Sequence, residues 1–207
     1  NINSIKKYDK KMLNIFTYET KNKHTNTIDS LNFAYNLTKK NLFIGILTLP
    51  LNKLKINKFV SQDFIDQTTF FSKKEKIKNN NMIFYYNNKF FIPLTIHIEL
   101  KNVYKYFKNK NSIVKKIQNL QHSLENDFKI NKPKIIFAGI NPHAGENGLI
   151  SNDENNYLKS ILKILKSKGI DCSGPVSGDG IINKNNLKYF DAFVFAYHDQ
   201  ALIPFKI

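Results

Sequence analysis

Three of the chain's five histidines stand in the same local setting. Phe91-Ile92-Pro93-Leu94-Thr95-Ile96 runs into His97. Lys134-Ile135-Ile136-Phe137-Ala138-Gly139-Ile140 passes through Asn141-Pro142 into His143, and Phe193-Val194-Phe195-Ala196-Tyr197 runs into His198. Short apolar runs rich in β-formers read as buried strands, so each imidazole is delivered to the end of a strand. In open parallel sheets that rim is where ligands bind. Imidazole is a ligand for zinc and similar divalent ions. A three-histidine site leaves coordination positions open, the arrangement of a Lewis acid that polarises a substrate oxygen. The intervals between the three match no zinc-finger spacing, and any one of them alone reads as a hydrogen-bonded structural residue. Their shared position carries the metal reading. His24, in a polar stretch, and His122, off the apolar stripe of its helix, lack that setting and read as surface residues.

Other groups could serve the same chemistry. Asp179 and Asp199 are candidates to steady a ligand or hold a polar substrate, although Asp179 between two glycines also suits a plain turn. Lys53 and Lys206 could hold a phosphate as point charges. Asp66, Gln67, Thr68 and Thr69 open a predicted helix. Exposed amides there suit an anion, and capping by Asp66 or Thr68 suits the residues equally well. The single cysteine, Cys172, excludes an internal disulfide and a multi-thiolate metal site, and it reads as a small packed residue.

The elements that must position these groups alternate along the chain. Helices are expected over 27–40, 64–78, 101–107, 112–128 and 153–168, the last stopped by Gly169. Strands are expected over 13–18, 42–48, 82–86, 90–96, 134–140 and 193–196. Residues 174–180 read as a small-residue loop. Such alternation argues α/β with a mainly parallel sheet.

At 207 residues there is ample chain for a real core. The net charge of +16 comes from lysines spread along a chain rich in Lys, Asn and Ile, with no arginine. Arginine is the usual reader of base edges, so the charge is read as composition bias and no nucleic-acid partner is expected. A basic field would still attract anionic, phosphorylated small molecules. No apolar run approaches a membrane span, and the opening residues do not form a signal peptide. No membrane partner is expected, and the expected compartment is the cytoplasm.

Several segments, in order, carry a resemblance. These are Thr48-Leu49-Pro50-Leu51-Asn52-Lys53, Thr95-Ile96-His97-Ile98-Glu99-Leu100, Asn141-Pro142-His143-Ala144-Gly145-Glu146, Gly174-Pro175 with Asp179, and Tyr197-His198-Asp199-Gln200 closing on Lys206. Together they resemble the 4-hydroxythreonine-4-phosphate dehydrogenase family of vitamin B6 synthesis. The resemblance implies a fold like isocitrate and isopropylmalate dehydrogenases, three-layer α/β/α in two lobes. Residues 1–63 would be the remnant of the cofactor-side lobe, and 64–207 the central metal- and substrate-binding lobe. It implies a homodimer in which His97, His143 and His198 hold a shared divalent metal (zinc, magnesium or cobalt). It implies NAD or NADP as oxidant, Gln67, Thr68 and Lys206 on a small phosphorylated substrate, and catalytic roles for Asp179 and Lys206. The family has His-Thr where this chain has Gln67-Thr68, and glutamine can donate to phosphate but carries no charge. A phosphorylated sugar acid such as threonate or erythronate 4-phosphate is therefore an alternative substrate, and a non-catalytic basic binding module is a more distant one. The family's opening strand and closing segments lack counterparts here, so the chain is expected to be an internal piece of a longer enzyme.

Overall fold

The computed structural model describes residues 26–59, 64 and 66–206. The expected strand over 13–18 and His24 lie outside them. The chain forms two compact units that divide at Lys76, further along than the boundary at residue 63 drawn from the sequence.

The first unit contains helices α1 (Asn26–Lys39), α2 (Lys53–Phe59) and α3 (Gln67–Glu75). Leu31, Ile56 and Phe64 form its small core, with Ile28, Leu51, Phe70 and Phe71 packed against them. The Asp66 carboxylate accepts from Thr69 N at 2.7 Å and so caps α3, which favours the capping reading of that helix start. The strand expected over 42–48 is absent. Leu42, Phe43, Ile44 and Leu47 lie exposed in irregular chain. An apolar run creates a demand for burial, but a strand also needs a neighbour for its backbone groups. None stands beside this run among the described residues. Helix α2, which the sequence reading missed, follows directly, with Asn52 Oδ1 accepting from Lys55 N at 3.1 Å.

The second unit is a five-stranded sheet with helices on both faces. Its strands are β1 (Phe84–Tyr86), β2 (Lys89–Thr95), β3 (Ile135–Ala138), β4 (Cys172–Val176) and β5 (Ala192–Tyr197). They lie in the order β1-β2-β5-β3-β4, all parallel except β1. The β1–β2 hairpin turns through Asn87 and Asn88, both at positive φ, which asparagine tolerates. The central strand β5 is buried on both sides, as an interior parallel strand must be. Its alternate residues divide between two cores. Ala192, Val194 and Ala196 face a large cluster shared with α4 (Val103–Phe107), α5 (Lys110–Asn126) and α6 (Lys159–Ser167). Phe193 and Phe195 face a smaller one shared with α7 (Lys184–Tyr189) and α8 (His198–Lys206). The three-layer α/β/α expectation is thus met in this unit.

Helix α5 follows its sequence pattern closely. Asn109 caps it by accepting from Ser112 N at 3.2 Å, and Ile113, Val114, Ile117, Leu120 and Leu124 form its buried stripe. The helix expected over 153–168 opens instead as a π turn, Glu154–Leu158, before α6. Strand β4 runs into the stretch read as a loop and takes its first three residues, 174–176. Gly174 sits at φ +112, and an added Cβ would meet Phe137 O at 2.5 Å, so only glycine lets β4 approach β3.

The connections set the site. From β3 the chain leaves towards α6 on one face, and from β5 it leaves into α8 on the other. Neighbouring parallel strands whose exits diverge leave a crevice at their carboxyl ends. Ile117, fully buried beneath the sheet, tests the larger core. Ile117→Ala is expected to lower unfolding free energy by about 2–5 kcal/mol. The exposed neighbour Lys115→Ala should change it by less than about 0.5 kcal/mol. Urea denaturation measures both.

Candidate active site at the carboxyl edge of the sheet

Two adjoining hollows open at this edge. One, of about 520 Å³, is lined by Asn141, His143, Ser177, Asp179, Tyr197 and Asp199, among others. The second, of about 280 Å³, is lined by Thr95, His97, Tyr197, His198 and Asp199. Tyr197 and Asp199 border both.

The structure brings two of the three predicted metal histidines together. The His97 and His198 rings stand 6.0 Å apart, centroid to centroid. His198 Nδ1 lies 2.7 Å from Asp199 Oδ1. With Nδ1 protonated and donating to that carboxylate, Nε2 presents its lone pair, which is how a carboxylate readies a ligating imidazole. Phe84 meets the His198 ring edge-on at 6.3 Å. His143 stands in the larger hollow on the Asp179 side. Among the described residues no three metal-ligating side chains converge on one point, so one chain supplies a histidine pair and a separate third histidine. Lys206 is exposed at the end of α8 and borders neither hollow. Gln67 and Thr68 belong to the first unit, where Gln67 Nε2 donates to Leu49 O at 3.4 Å.

Side-chain hydrogen bonds tie the strand ends together. The Thr95 hydroxyl donates to Ala196 O at 2.8 Å. Gln200 accepts from Ala196 N at 2.8 Å and donates to Gly139 O at 3.0 Å, bridging the ends of β5 and β3. Gly178 passes so close that a Cβ there would meet Gln200 Nε2 at 2.6 Å.

The His143 segment has unusual backbone. His143, Ala144, Gly145, Glu146 and Asn147 all have positive φ, between 45° and 74°, forming a left-handed turn. Each non-glycine residue in that region costs about 1–2 kcal/mol, so the surroundings must hold it. An added Cβ on Gly139 would meet Ala144 Cα at 2.6 Å, and one on Gly145 would collide with Glu154 Oε2. Glu154 is only 1% exposed. Its Oε1 accepts from Ile140 N at 2.9 Å and Asn141 N at 2.7 Å. The sequence reading missed both Gln200 and Glu154. Glu154 did leave a signal, since it is a carboxylate on the apolar stripe that continues through Leu158, Ile161 and Leu165.

Cys172 is buried, and burial pushes its thiol pKa up to about 11, so it is no nucleophile at neutral pH. Asp179 moves the other way. The Ser177 hydroxyl donates to its carboxylate, its own backbone N–H adds to this, and nearby His143 favours the charge further, holding its pKa below the ordinary aspartate range.

A mainly parallel sheet between two helical layers, with imidazoles and carboxylates gathered at its carboxyl edge, defines an α/β protein with its candidate ligand site at that edge. The profile of the family described as "Pyridoxal phosphate biosynthetic protein PdxA" matches residues 2–207, and the chain belongs to that family. The 4-hydroxythreonine-4-phosphate dehydrogenase of a Sulfurihydrogenibium strain is 40% identical over 114 residues, covering 55% of this chain and 34% of that protein. That of Wigglesworthia glossinidia brevipalpis is 37% identical over 164 residues, covering 79% and 49%. The crystal structure of the Klebsiella pneumoniae enzyme of the same name superposes with a TM-score of 0.81 at 26% identity, covering 88% of this chain and 54% of that one. The chain spans about half the length, or less, of these curated relatives.

Ser177 tests the electrostatics of Asp179. A depressed folded pKa stabilises the ionised state above the unfolded value, and that stabilisation is lost as pH falls through the folded value. Ser177→Ala is expected to move the Asp179 midpoint up, towards the ordinary aspartate value, in an NMR titration of its carboxyl carbon. An unmoved midpoint would assign the depression to other groups.

Proposed function

We propose that this chain carries the metal- and substrate-binding part of an NAD(P)-linked dehydrogenase. The substrate is 4-phosphooxy-L-threonine, which is oxidised at its C3 hydroxyl and then decarboxylated to 3-amino-2-oxopropyl phosphate on the route to pyridoxine 5′-phosphate. The observation that carries the reading is the His97–His198 pair with Asp199 on His198 Nδ1, at the rim of a parallel sheet. The family membership and the dehydrogenases it resembles support it.

The net reaction balances. The C3 hydrogen leaves as hydride and the hydroxyl proton is released. The 3-oxo acid then loses CO2, and the electron pair left on carbon takes up a proton. Substrate and NAD(P)+ thus give 3-amino-2-oxopropyl phosphate, CO2 and NAD(P)H. When bound, a divalent cation supplies Lewis acidity at the substrate oxygen and the nicotinamide supplies the hydride acceptor. The donor set fits a cation of the zinc, cobalt or magnesium kind, with zinc and cobalt favoured by imidazole. His97 and His198 hold it, Asp199 fixes the His198 ring, and the third imidazole, His143, comes from a second copy in a homodimer. Asp179, kept ionised by the Ser177 hydroxyl, takes a proton or anchors the substrate ammonium group in this reading. The basic chain draws the anionic substrate in. The enzyme works in the cytoplasm. No helix of the described residues is long and apolar enough to cross a membrane.

A phosphorylated sugar acid is the second reading. It is favoured by Gln67, a neutral amide at the family's histidine position.

Whole protein with 4-phosphooxy-L-threonine and NAD or NADP should generate reduced nicotinamide, and a chelator should abolish this. Asp199→Asn is expected to weaken cation affinity by about 10–100-fold. Chelator-insensitive turnover, or faster turnover of threonate or erythronate 4-phosphate, would replace the first reading.

A further inference from the structure

We propose that Glu154 is a positioning residue for His143. Its buried carboxyl group holds the entry limb and the middle of the left-handed turn and thereby sets where the imidazole stands. The entry limb is held by the bonds to Ile140 N and Asn141 N. The Asn141 side-chain amide adds longer contacts to both carboxyl oxygens, at 3.4 and 3.3 Å. Asp153 shares that amide at 3.2 Å. The middle of the turn is held sterically, because Gly145 lies against Glu154 Oε2 and Ser151 O with no room for a Cβ. Gly145 O in turn accepts from Ile150 N at 3.2 Å, closing the turn onto the segment that leads to Glu154.

Packing alone does not explain a carboxylate here. Glu154 sits on the stripe that buries Leu158, Ile161 and Leu165, where an apolar residue would fill the space at lower cost. An apolar side chain could not accept from two adjacent amides that leave the end of β3 without a strand partner. His143 follows those amides by two residues, so any shift of the entry limb reaches its ring directly. In its metal half the proposal rests on the cation reading above. In its structural half it does not.

The test compares Glu154→Ala and Glu154→Met with Leu124→Ala, a core variant in α5, in the whole protein. Glu154→Met nearly keeps the volume but has no accepting oxygen for the two amides, and stands in where Glu154→Ala fails to fold. The first measurement is made without metal. Amide exchange at Ile140 and Asn141 should speed up at least about 10-fold more in the Glu154 variant than in Leu124→Ala. The His143 ring resonances should also shift while those of His122 stay in place. Equal protection, or an unmoved His143 ring, overturns the proposal. The second measurement is zinc affinity by competition with a chromophoric chelator. The Glu154 variant should bind about 10-fold more weakly, and adding it to His143→Ala should cost nothing more. Affinity within twofold of the unsubstituted protein, or additive losses, overturns the proposal. Zinc affinity untouched by His143→Ala would instead defeat the cation reading, and the exchange measurement would then decide on Glu154 alone.

Discussion

Parallel strands leave their last amides and carbonyls unpaired once the ladder stops, and buried backbone groups must find partners. The carboxyl edge of this sheet depends on how that demand is met. At β2 and β5, Thr95 donates to Ala196 O. Between β5 and β3, Gln200 takes Ala196 N and gives to Gly139 O. Beyond β3, Glu154 takes the next two amides. Three side chains thus close the edge at three consecutive points. Immediately after each tied strand end comes a histidine or the turn that carries one. The groups that satisfy the backbone are therefore also the groups that fix the candidate site.

The same edge explains why the site is placed where it is. Strand β5 lies between β2 and β3 although it is last in the chain. Its two cores keep it fixed from both faces, with Phe193 and Phe195 on one side and Ala192, Val194 and Ala196 on the other. A strand so held presents Tyr197, His198 and Asp199 rigidly, and sites built on fixed elements hold their geometry better than sites on loops. The two hollows share Tyr197 and Asp199 because both residues stand at the exit of β5, which borders each.

Much of this was legible in the sequence where one element's own pattern decided the outcome. The α5 stripe, the Asn87-Asn88 turn, the buried runs of β2, β3 and β5, and the Gly169 stop follow from local periodicity and turn chemistry. The three histidines at strand ends were legible for the same reason. Asp199 was legible only as a group that could steady a ligand or hold a substrate, and its contact with His198 Nδ1 emerges from the structure. What was not legible depends on distant partners. Leu42–Thr48 has the composition of a strand but no neighbouring strand among the described residues. β4 is masked by Gly174 and Pro175, whose presence makes sense only once Phe137 O is seen beside Gly174. Gln200 looked like one more polar residue in a motif until the carbonyl of Gly139 was placed next to it. That His143 would line the larger hollow while His97 and His198 line the smaller one could not be read from spacing.

His198 shows how apolar and polar contacts share the work of aiming a side chain. Phe84 packs edge-on against its ring, and Phe84 itself packs at a tilt against Phe205, ring centroids 5.2 Å apart. These contacts restrict the plane of the imidazole but cannot distinguish its two nitrogens. Asp199 makes that distinction by engaging Nδ1 alone. Asp199 is largely exposed, its side chain 74% accessible, so as an ion pair the contact adds little stability. Its effect lies in selecting a tautomer, which needs only a modest energy difference between two states of one ring. An exposed carboxylate can supply that without the desolvation cost of a buried one. Packing sets the direction in which His198 faces, and the neighbouring carboxylate decides which nitrogen it offers.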